Sequence, residues 1–251
     1  MNEGFPIRKM PTATTIEIWT INLDRQPNPG AHLDEILTVE ERNRAERYLS
    51  SKDASRFKLC RAMLRLGLAW YLDTAPRKIA LQTNCHGKPS IAKNSALHFN
   101  VSHSCGLGAI AFTTAGEVGI DVEAIQRDVG ALEIAEAHFT QTEAAMIAAA
   151  NTPQEQALIF LRLWTRKEAV LKAAGFGLLG GMQGVDVSLE PLDQVKLCCA
   201  EGDRSEFNWR IRDLEPIDGF RGAVAAPTGD WSIHQYFVDR EEALVGFAGS
   251  S

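Results

Sequence analysis

The chain has 251 residues, of which 45% are hydrophobic and 23% are charged. This length and composition exclude a disordered chain and fit either one large globular domain or two domains of ordinary size. The formal net charge of −6 argues against a nucleic-acid-binding protein, unless positive charge is concentrated in one segment.

The sequence has no run of eighteen apolar residues, so we expect no membrane-spanning helix. Its first residues lack the basic and then apolar pattern of a signal peptide. The five cysteines are odd in number and do not show the spacing of metal ligands. These features favour a cytoplasmic protein with reduced cysteines.

Positive charge is concentrated between residues 42 and 65, after a predicted first strand at residues 15–23 and a predicted turn at residues 27–30. Thr38 followed by Glu41 predicts a capping box at the start of one helix, and a second helix carries an apolar stripe. That stripe leaves five cations on solvent-facing sides: Arg44, Arg56, Lys58, Arg61 and Arg65. The segment is either an ordinary solvated surface or a site where arginine side chains bind a polyanion.

A turn and a strand follow this basic segment. Gly87 and Pro89, on either side of Lys88, predict the turn. Alternating apolar and polar residues at 97–102 predict a strand with one buried face, and it ends beside His103. A histidine at a strand end beside hydroxyls either has a structural role or donates to a bound phosphate.

Residues 118–123 predict a strand that places Asp121 and Glu123 side by side, because the alternate residues are apolar. Adjacent carboxylates repel each other unless a cation lies between them, and oxygen ligands suit Mg²⁺ or Mn²⁺. The pair is therefore either two exposed acids or part of a metal site. A third acid, such as Glu168, would favour the metal site.

A long helix is predicted over residues 153–174, with capping residues at its start and Gly175 at its end. Trp164, Glu168 and Lys172 are spaced four residues apart, so they lie on one face. They are either a surface Glu–Lys pair beside a core tryptophan or a source of the third carboxylate.

The remaining residues complete two halves with a similar order of predicted elements. Helices are predicted at residues 131–138 and 140–150, and strands at 185–189, 195–199, 207–212, 222–226 and 231–237. Each half has a strand, then helices, then further strands. We therefore predict an α+β fold with two similar, pseudo-symmetric subdomains, residues 1–116 and 117–251.

Five short motifs occur in a fixed order along the chain. They are Gly87-Lys-Pro89, Phe99-Asn-Val-Ser-His-Ser104, Gly119-Ile-Asp-Val-Glu123, Phe139-Thr-Gln-Thr-Glu143, and Trp164-Thr-Arg-Lys-Glu-Ala-Val-Leu-Lys172 with Gly175-Phe-Gly-Leu178. Together with the basic segment, they resemble the Sfp-type 4′-phosphopantetheinyl transferases over roughly residues 38 to 178. Each motif is weak alone, but five in order form a specific signal.

The resemblance implies that coenzyme A binds in a cleft between two α+β halves. The implied ligands of Mg²⁺, or of Mn²⁺, are Asp121, Glu123 and Glu168. The implied contacts to coenzyme A are Arg44, Arg56, Gly87, Lys88, Pro89, Ser102, His103 and Lys172. The implied catalytic residues are Lys172 and His103 on phosphate oxygens, Glu168 as the favoured acceptor of the serine proton, and Glu143 as the second choice.

The implied reaction transfers the 4′-phosphopantetheine arm of coenzyme A to a serine of an apo acyl or peptidyl carrier protein and releases 3′,5′-ADP. The double-length form suggests a broad role in secondary metabolism, such as nonribosomal peptide or polyketide biosynthesis. We expect a monomer, because the two halves would supply the cleft between them, and we expect exposed surface around residues 139–150 to set the choice of carrier protein. Glu41 stands where relatives can have a lysine, and Phe57 where some have a hydroxyl, so the 3′-phosphate ligands stay open.

Two other functions stay open on sequence alone. A metal-dependent phosphohydrolase acting on coenzyme A or a nucleotide would use the same carboxylates with water as the nucleophile. A non-catalytic module that binds coenzyme A or a carrier protein would be expected to lack one of the acids or Lys172, and none of these is missing.

Overall fold

Two four-stranded sheets, one two-stranded hairpin, six α-helices and two short 3₁₀ helices are the regular elements of the part of the chain that the structure describes. The computed structural model describes residues 10–24, 31–92, 95–125, 130–176, 181–188, 192–197 and 208–238. In chain order, the elements are β1 (Thr15–Asn22), α1 (Ala31–Ile36), α2 (Val39–Ala45), α3 (Ser51–Leu72), β2 (Leu81–Thr83), β3 (Pro89–Ile91), β4 (His98–Ser104), β5 (Leu107–Thr113), β6 (Gly119–Ala124), α4 (Ala131–His138), α5 (Gln141–Ala148), α6 (Pro153–Ala174), β7 (Val195–Lys196), β8 (Asn208–Asp213), β9 (Phe220–Pro227) and β10 (Ser232–Phe237). These elements confirm the predicted α+β class.

The first sheet has the strand order β10-β1-β5-β4, and the long helix α3 packs on one of its faces. Ser50 caps the start of α3, and Asp73 ends it in the left-handed conformation. The helix buries its apolar side against a core that includes Trp19 and Phe112. Gly67 permits this approach, since a Cβ atom there would lie 2.5 Å from the Phe112 ring.

The second sheet has the strand order β6-β9-β8-β7, and α6 packs across β6 and β9. Thr152 caps α6, Pro153 occupies its first turn, and Gly175 closes it with a φ of 78°, as predicted. The contact between α6 and β6 is unusually close. A Cβ atom on Gly119 would lie 2.0 Å from the carbonyl oxygen of Ala169, so only glycine fits there.

The two sheets share a third hydrophobic core where they face each other. It combines residues of both sheets: Ile16, Ile18, Leu107, Ala109, Ala111, Val118, Ile120, Val122, Leu214, Val224, Ala226 and Trp231. The edge strands β4 and β6 lie next to each other beside this core. The junction of these two strands positions the candidate site.

The C-terminal strand crosses between the halves. β10 pairs parallel to β1, with Thr15 opposite Ser232, so the first sheet includes a strand from the predicted second subdomain. β1 is buried along most of its length, as expected of a central strand with neighbours on both edges. The division at residues 116 and 117 stays a prediction, as does the pseudo-symmetry.

One predicted orientation in the basic segment is wrong. Arg65 does not face solvent: it is 3% exposed, and its Nε donates to Glu41 Oε2 at 2.6 Å. Its Nη1 also donates to the carbonyl oxygens of Pro76 and Ile79, because α3 is covered on more than one side. The predicted turn at 27–30 and the strand ends at 189, 199 and 207 lie outside the described residues. The predicted strand at 185–189 is wrong over residues 185–188, where the chain forms only an isolated bridge between Val185 and Leu197. No helix within the described ranges is long and apolar enough to cross a membrane.

Candidate functional site

Helix α6 carries three of the residues that the sequence placed on one face. Trp164 packs against Phe160, with ring centroids 5.6 Å apart, and joins the second hydrophobic core. Glu168, one turn later, is 5% exposed, and Lys172 follows after another turn. The tryptophan is therefore a packing residue, and the glutamate and lysine are presented to β6.

The ammonium group of Lys172 links α6 to two strands. Its Nζ donates to Asp121 Oδ1 at 2.6 Å, to Ser102 Oγ at 3.1 Å and to the carbonyl oxygen of Ile120 at 3.2 Å. Asp121 is only 3% exposed, so this ion pair is shielded from bulk water. The structure therefore brings Ser102, Asp121 and Lys172 together.

A row of polar side chains on β4 joins the two sheets. Asn100, Ser102 and Ser104 alternate along the strand and so share one face. Their side-chain oxygens accept backbone N–H groups of Ile120 at 3.0 Å, Val122 at 3.3 Å and Ala124 at 3.1 Å, respectively. We call these three residues the polar row. It satisfies backbone N–H groups on the edge of β6 that no described strand pairs with.

Both serines of the polar row also bind the carboxylates of β6. Ser102 Oγ donates to Asp121 Oδ1 at 2.9 Å, and Ser104 Oγ donates to Glu123 Oε2 at 2.7 Å. The predicted face of β6 that carries the two acids is therefore present. Each acid has one oxygen held by a hydroxyl group.

Negative charge at this point is not fully compensated. Asp121 Oδ2 and Glu168 Oε1 are buried and accept no hydrogen bond. Burial and the neighbouring carboxylates of Asp121 and Glu123 raise the pKa of Glu168 to about 7, and Lys172 opposes this effect. Burial also raises the pKa of Glu123, although the hydrogen bond from Ser104 lowers it. The cluster is thus suited to receive positive charge.

The chemistry of this cluster fits a hard divalent cation. No group of three His, Cys, Asp or Glu side chains in the described residues is already arranged as a metal site. Two buried carboxylate oxygens without partners nevertheless fit Mg²⁺, which takes few protein carboxylates and completes its shell with water and phosphate. Asp121, Glu123 and Glu168 are the residues that would hold it.

His103 and two arginines of the basic segment form a basic corner next to the acids. His103 is exposed at the end of β4. Partial desolvation and the charges of Lys172, Arg44 and Arg56 lower the pKa of its imidazole. The four predicted phosphate-binding side chains are therefore close enough for the charges of Lys172, Arg44 and Arg56 to act on His103.

The two arginines of this corner are held differently. The Arg44 guanidinium lies 5.1 Å from the centre of the Phe57 ring, and no carboxylate of the described residues pairs with it. The Arg56 guanidinium instead donates to both oxygens of Asp24, each at 2.7 Å. Arg44 is therefore the more available of the two for an added anion.

The predicted turn at Lys88 closes the hairpin of β2 and β3. Gly87 adopts a φ of 83°, in the left-handed region, and Asn84 Oδ1 accepts the backbone N–H of Lys88 at 2.9 Å. Lys88 Nζ donates to the carbonyl oxygen of Ala173 at 2.9 Å and to Glu117 Oε2 at 2.5 Å. The hairpin is thus tied to the end of α6.

A pocket of about 500 Å³ lies between this hairpin, the start of β4 and the end of α6. Lys88, Pro89, His98 and Glu117 are among its lining residues. Hydrogen bonds from His98 and Lys88 lower the pKa of Glu117 to about 2, so its carboxylate stays ionised. The lining combines charged side chains such as Lys88 and Glu117 with apolar ones such as Ile91 and Leu97.

Glu143 lies outside this cluster. It is fully buried; Oε2 accepts the N–H of Thr140 at 2.9 Å and pairs with Lys167 Nζ at 2.7 Å. Its Oε1 accepts the N–H of Val187 at 2.9 Å. The catalytic role of Glu143 stays a prediction, and these contacts favour a structural role.

Sequence reasoning did not identify three residues of this region. Ser104 shares the two-residue period of Asn100 and Ser102, so the alternation along β4 contained a signal for it. The sequence contained no signal for Asp24, because its partner Arg56 is 32 residues away along the chain. Lys167, which pairs with Glu143, was visible only as one cation among several on α6.

Two family models match consecutive parts of the chain. The N-terminal model of the 4′-phosphopantetheinyl transferases matches residues 26–115, and the model of the 4′-phosphopantetheinyl transferase superfamily matches residues 117–226. The matches meet at the predicted boundary between the halves. The second ends before β10.

Individual relatives agree with the family models. A putative 4′-phosphopantetheinyl transferase of Synechocystis sp. is 32% identical over 78% of this chain and 78% of the relative. The 4′-phosphopantetheinyl transferase HetI of Nostoc sp. is 30% identical over 86% of this chain and 89% of the relative. The 4′-phosphopantetheinyl transferase Sfp of Bacillus subtilis is 29% identical over 91% of this chain and all of the relative.

Proposed function

Because the chain belongs to the 4′-phosphopantetheinyl transferase superfamily, we propose that it transfers the phosphopantetheine arm of coenzyme A to a serine of an apo carrier protein. The observation that carries the proposal is the cluster of the buried Asp121 and Glu168 with the half-buried Lys172. Two carboxylate oxygens without partners beside an ammonium group suit a diphosphate that arrives with a cation.

In this reaction the serine oxygen of the carrier protein attacks the β-phosphorus of coenzyme A. A new P–O bond forms to the serine, and the bond from the β-phosphorus to the bridging oxygen breaks, so 3′,5′-ADP leaves. The serine proton goes to a base. We propose Glu168 as this base, because its Oε1 has no hydrogen bond that would have to break first.

The cations of the site would bind the phosphates. Lys172 Nζ lies beside Asp121, where it would contact the diphosphate and oppose its charge. His103 would donate to a phosphate oxygen at the cleft entrance. Arg44, whose guanidinium is held by the Phe57 ring and not by an acid, would bind the 3′-phosphate together with Arg56.

We propose Mg²⁺, or Mn²⁺ in its place, as the cation held by Asp121, Glu123 and Glu168. Such a cation supplies positive charge to the diphosphate oxygens as the bond breaks. The adenine would lie against the hairpin turn of Gly87, Lys88 and Pro89, whose side of the structure contains the 500 Å³ pocket. Ser102, which is fully engaged in hydrogen bonds, would border the nucleotide without a free donor.

The release of 3′,5′-ADP tests the reaction class. Coenzyme A and Mg²⁺ are incubated with the protein in the presence and absence of an apo carrier protein, and 3′,5′-ADP is measured by chromatography. We expect release only with the carrier. Release without it would indicate a phosphohydrolase, and coenzyme A binding without release on any carrier would indicate a binding module.

We also propose a cytoplasmic monomer that acts on acyl or peptidyl carriers of nonribosomal peptide or polyketide biosynthesis. Both halves of one chain contribute side chains to the cleft, which supports a monomer. Met146 of α5 is 41% exposed and lies in the predicted carrier-facing segment. Transfer rates compared between acyl and peptidyl carriers from both kinds of pathway test the choice of partner.

A further inference from the structure

The hydroxyl group of Ser104 is fixed from two sides. The backbone N–H of Ala124 donates to its Oγ at 3.1 Å, and the Oγ lies 2.7 Å from Glu123 Oε2. A backbone N–H can only donate, so it uses an oxygen lone pair of the hydroxyl. The hydroxyl hydrogen is therefore free to point at the carboxylate.

Ser102 repeats this arrangement two residues earlier. Its Oγ accepts from the N–H of Val122 at 3.3 Å and from Lys172 Nζ at 3.1 Å, and it lies 2.9 Å from Asp121 Oδ1. With both lone pairs used by donors, its hydrogen has one acceptor left. The period of two along a strand thus pairs successive serines of β4 with successive acids of β6.

These bonds leave one oxygen of each acid for another ligand. A hydrogen bond to an ionised carboxylate is stronger than a neutral one, so it holds the group in one orientation. Asp121 Oδ2, the oxygen that Ser102 does not contact, is buried without a partner. Partners of this kind around metal ligands are known to set the orientation and the affinity of the site.

We propose that Ser104 is a positioning residue that orients the carboxylate of Glu123 towards a divalent cation, as Ser102 orients Asp121. The inference rests on the cation site of the proposed function and names a residue that acts on it. The side chain of Ser104 contacts the carboxylate of Glu123 and the backbone N–H of Ala124. Its effect passes through Glu123.

Asn100 provides the matched control, because it belongs to the same polar row but contacts no acid. Its Oδ1 accepts the N–H of Ile120 at 3.0 Å, as the serines do with their own partners. Truncation of Asn100 therefore removes the structural part of the row alone. Any loss peculiar to Ser104 reports its bond to Glu123.

The experiment measures Mn²⁺ binding to the full chain by electron paramagnetic resonance, without coenzyme A or carrier protein, together with the thermal midpoint. We expect Ser104→Ala to weaken Mn²⁺ binding about tenfold. Ser104→Thr, which keeps the hydroxyl, should restore most of the affinity. Asn100→Ala should lower the thermal midpoint but bind Mn²⁺ like the unchanged protein.

A double variant tests whether the effect of Ser104 on Mn²⁺ binding passes through Glu123. In a Glu123→Gln background, Ser104→Ala should cause no further loss of Mn²⁺ affinity, because the two residues act in one chain of contacts. Unchanged Mn²⁺ affinity in Ser104→Ala, or an equal loss in Asn100→Ala, would overturn the inference.

The readout also separates this inference from the proposed function. Mn²⁺ binding can be measured without any transfer reaction. If the protein binds Mn²⁺ but modifies no carrier, the proposed function is contradicted, and the Mn²⁺ affinities of the Ser104 variants can still be compared. If the protein transfers the arm but Ser104→Ala and Ser104→Thr bind Mn²⁺ with equal affinity, only the inference is contradicted.

Discussion

Two ion pairs in this protein differ in whether the carboxylate is satisfied. Glu143 has both oxygens bound, one to Lys167 and a backbone N–H and the other to a second backbone N–H. Asp121 has its Oδ1 bound to Lys172 but its Oδ2 buried without a partner, and Glu168 has a similar free oxygen. A fully paired group stabilises the fold, whereas a partly paired one is suited to bind something else.

The first residue-scale prediction concerns Glu168→Gln. We expect transfer to fall about 100- to 10,000-fold, because the amide cannot accept the serine proton. The cation-free protein should be as stable as the unchanged one or more so, since the amide carries no charge to repel Asp121. Initial rates and thermal midpoints check this, and full activity would contradict the assignment of Glu168.

The second residue-scale prediction concerns Arg44→Ala. We expect coenzyme A to bind about tenfold more weakly, and dephospho-coenzyme A to bind as before, because only the former carries the 3′-phosphate. Calorimetric titration of both ligands checks the difference. Arg47→Ala, an exposed arginine close by in sequence, is the control and should change neither affinity.

Arg56→Ala should also affect coenzyme A more than dephospho-coenzyme A. This change has a second effect, because it also leaves the carboxylate of Asp24 without its bidentate partner. The variant Asp24→Asn frees Arg56 while keeping its charge. Equal losses for the two ligands in Arg56→Ala would place the 3′-phosphate elsewhere.

At the scale of elements, the site depends on how closely β6 approaches α6. Gly119 lies against the backbone of Ala169 and Ala173, two residues before Asp121. The distance between strand and helix sets where Asp121 lies relative to Glu168 and Lys172. The glycine of this motif is therefore a packing requirement of the site.

Gly119→Ala should lower both stability and transfer. The added methyl group has no space, and overpacking of this kind costs about 1–3 kcal/mol. Urea unfolding and initial rates check the change. Gly229→Ala is the control, since its nearest neighbours would be 3.8 and 3.9 Å from the new Cβ, and it should leave both quantities nearly unchanged.

The pair of Glu143 and Lys167 connects α5, α6 and the segment at Met182 and Val185, whose carbonyl oxygens accept from Lys167. Removal of one partner leaves a buried charge without its counter-charge. Glu143→Leu or Lys167→Met alone should therefore lower the free energy of unfolding by about 3–5 kcal/mol. The double variant should lose less than the sum. Urea unfolding tests this, and activity per folded molecule tests the catalytic alternative for Glu143.

Local signals made many of these elements predictable. The capping boxes at Thr38 and Thr140 and the glycine at 175 fixed helix ends to within a few residues, because capping involves neighbours in sequence. The pairing of β10 with β1 was not predictable in this way. Its partners are more than 200 residues apart, and the strand pattern does not name its neighbour.

At the scale of the whole molecule, the first and third hydrophobic cores join both halves into one structure, whereas the second core takes residues of the second half alone. The third core takes residues from both four-stranded sheets, and β10 ties the end of the described chain to β1. The acids lie on one side of the junction and the basic corner on the other. This arrangement explains why the site residues were recognisable by motif, but their mutual contacts were not.

This shared core predicts a single cooperative unfolding transition. Far-UV circular dichroism and tryptophan fluorescence should give coincident urea curves, because tryptophans occur in both halves. Val224→Ala, in the shared core, should shift both curves equally. Two separate transitions would show that the halves unfold independently.

The most direct test of the account is the intact mass of an apo carrier protein after incubation with this protein, coenzyme A and Mg²⁺, with EDTA in a parallel sample. We predict that the carrier protein gains the mass of one phosphopantetheine arm and that EDTA abolishes this gain. No gain on acyl and peptidyl carriers, together with no binding of coenzyme A, would contradict it.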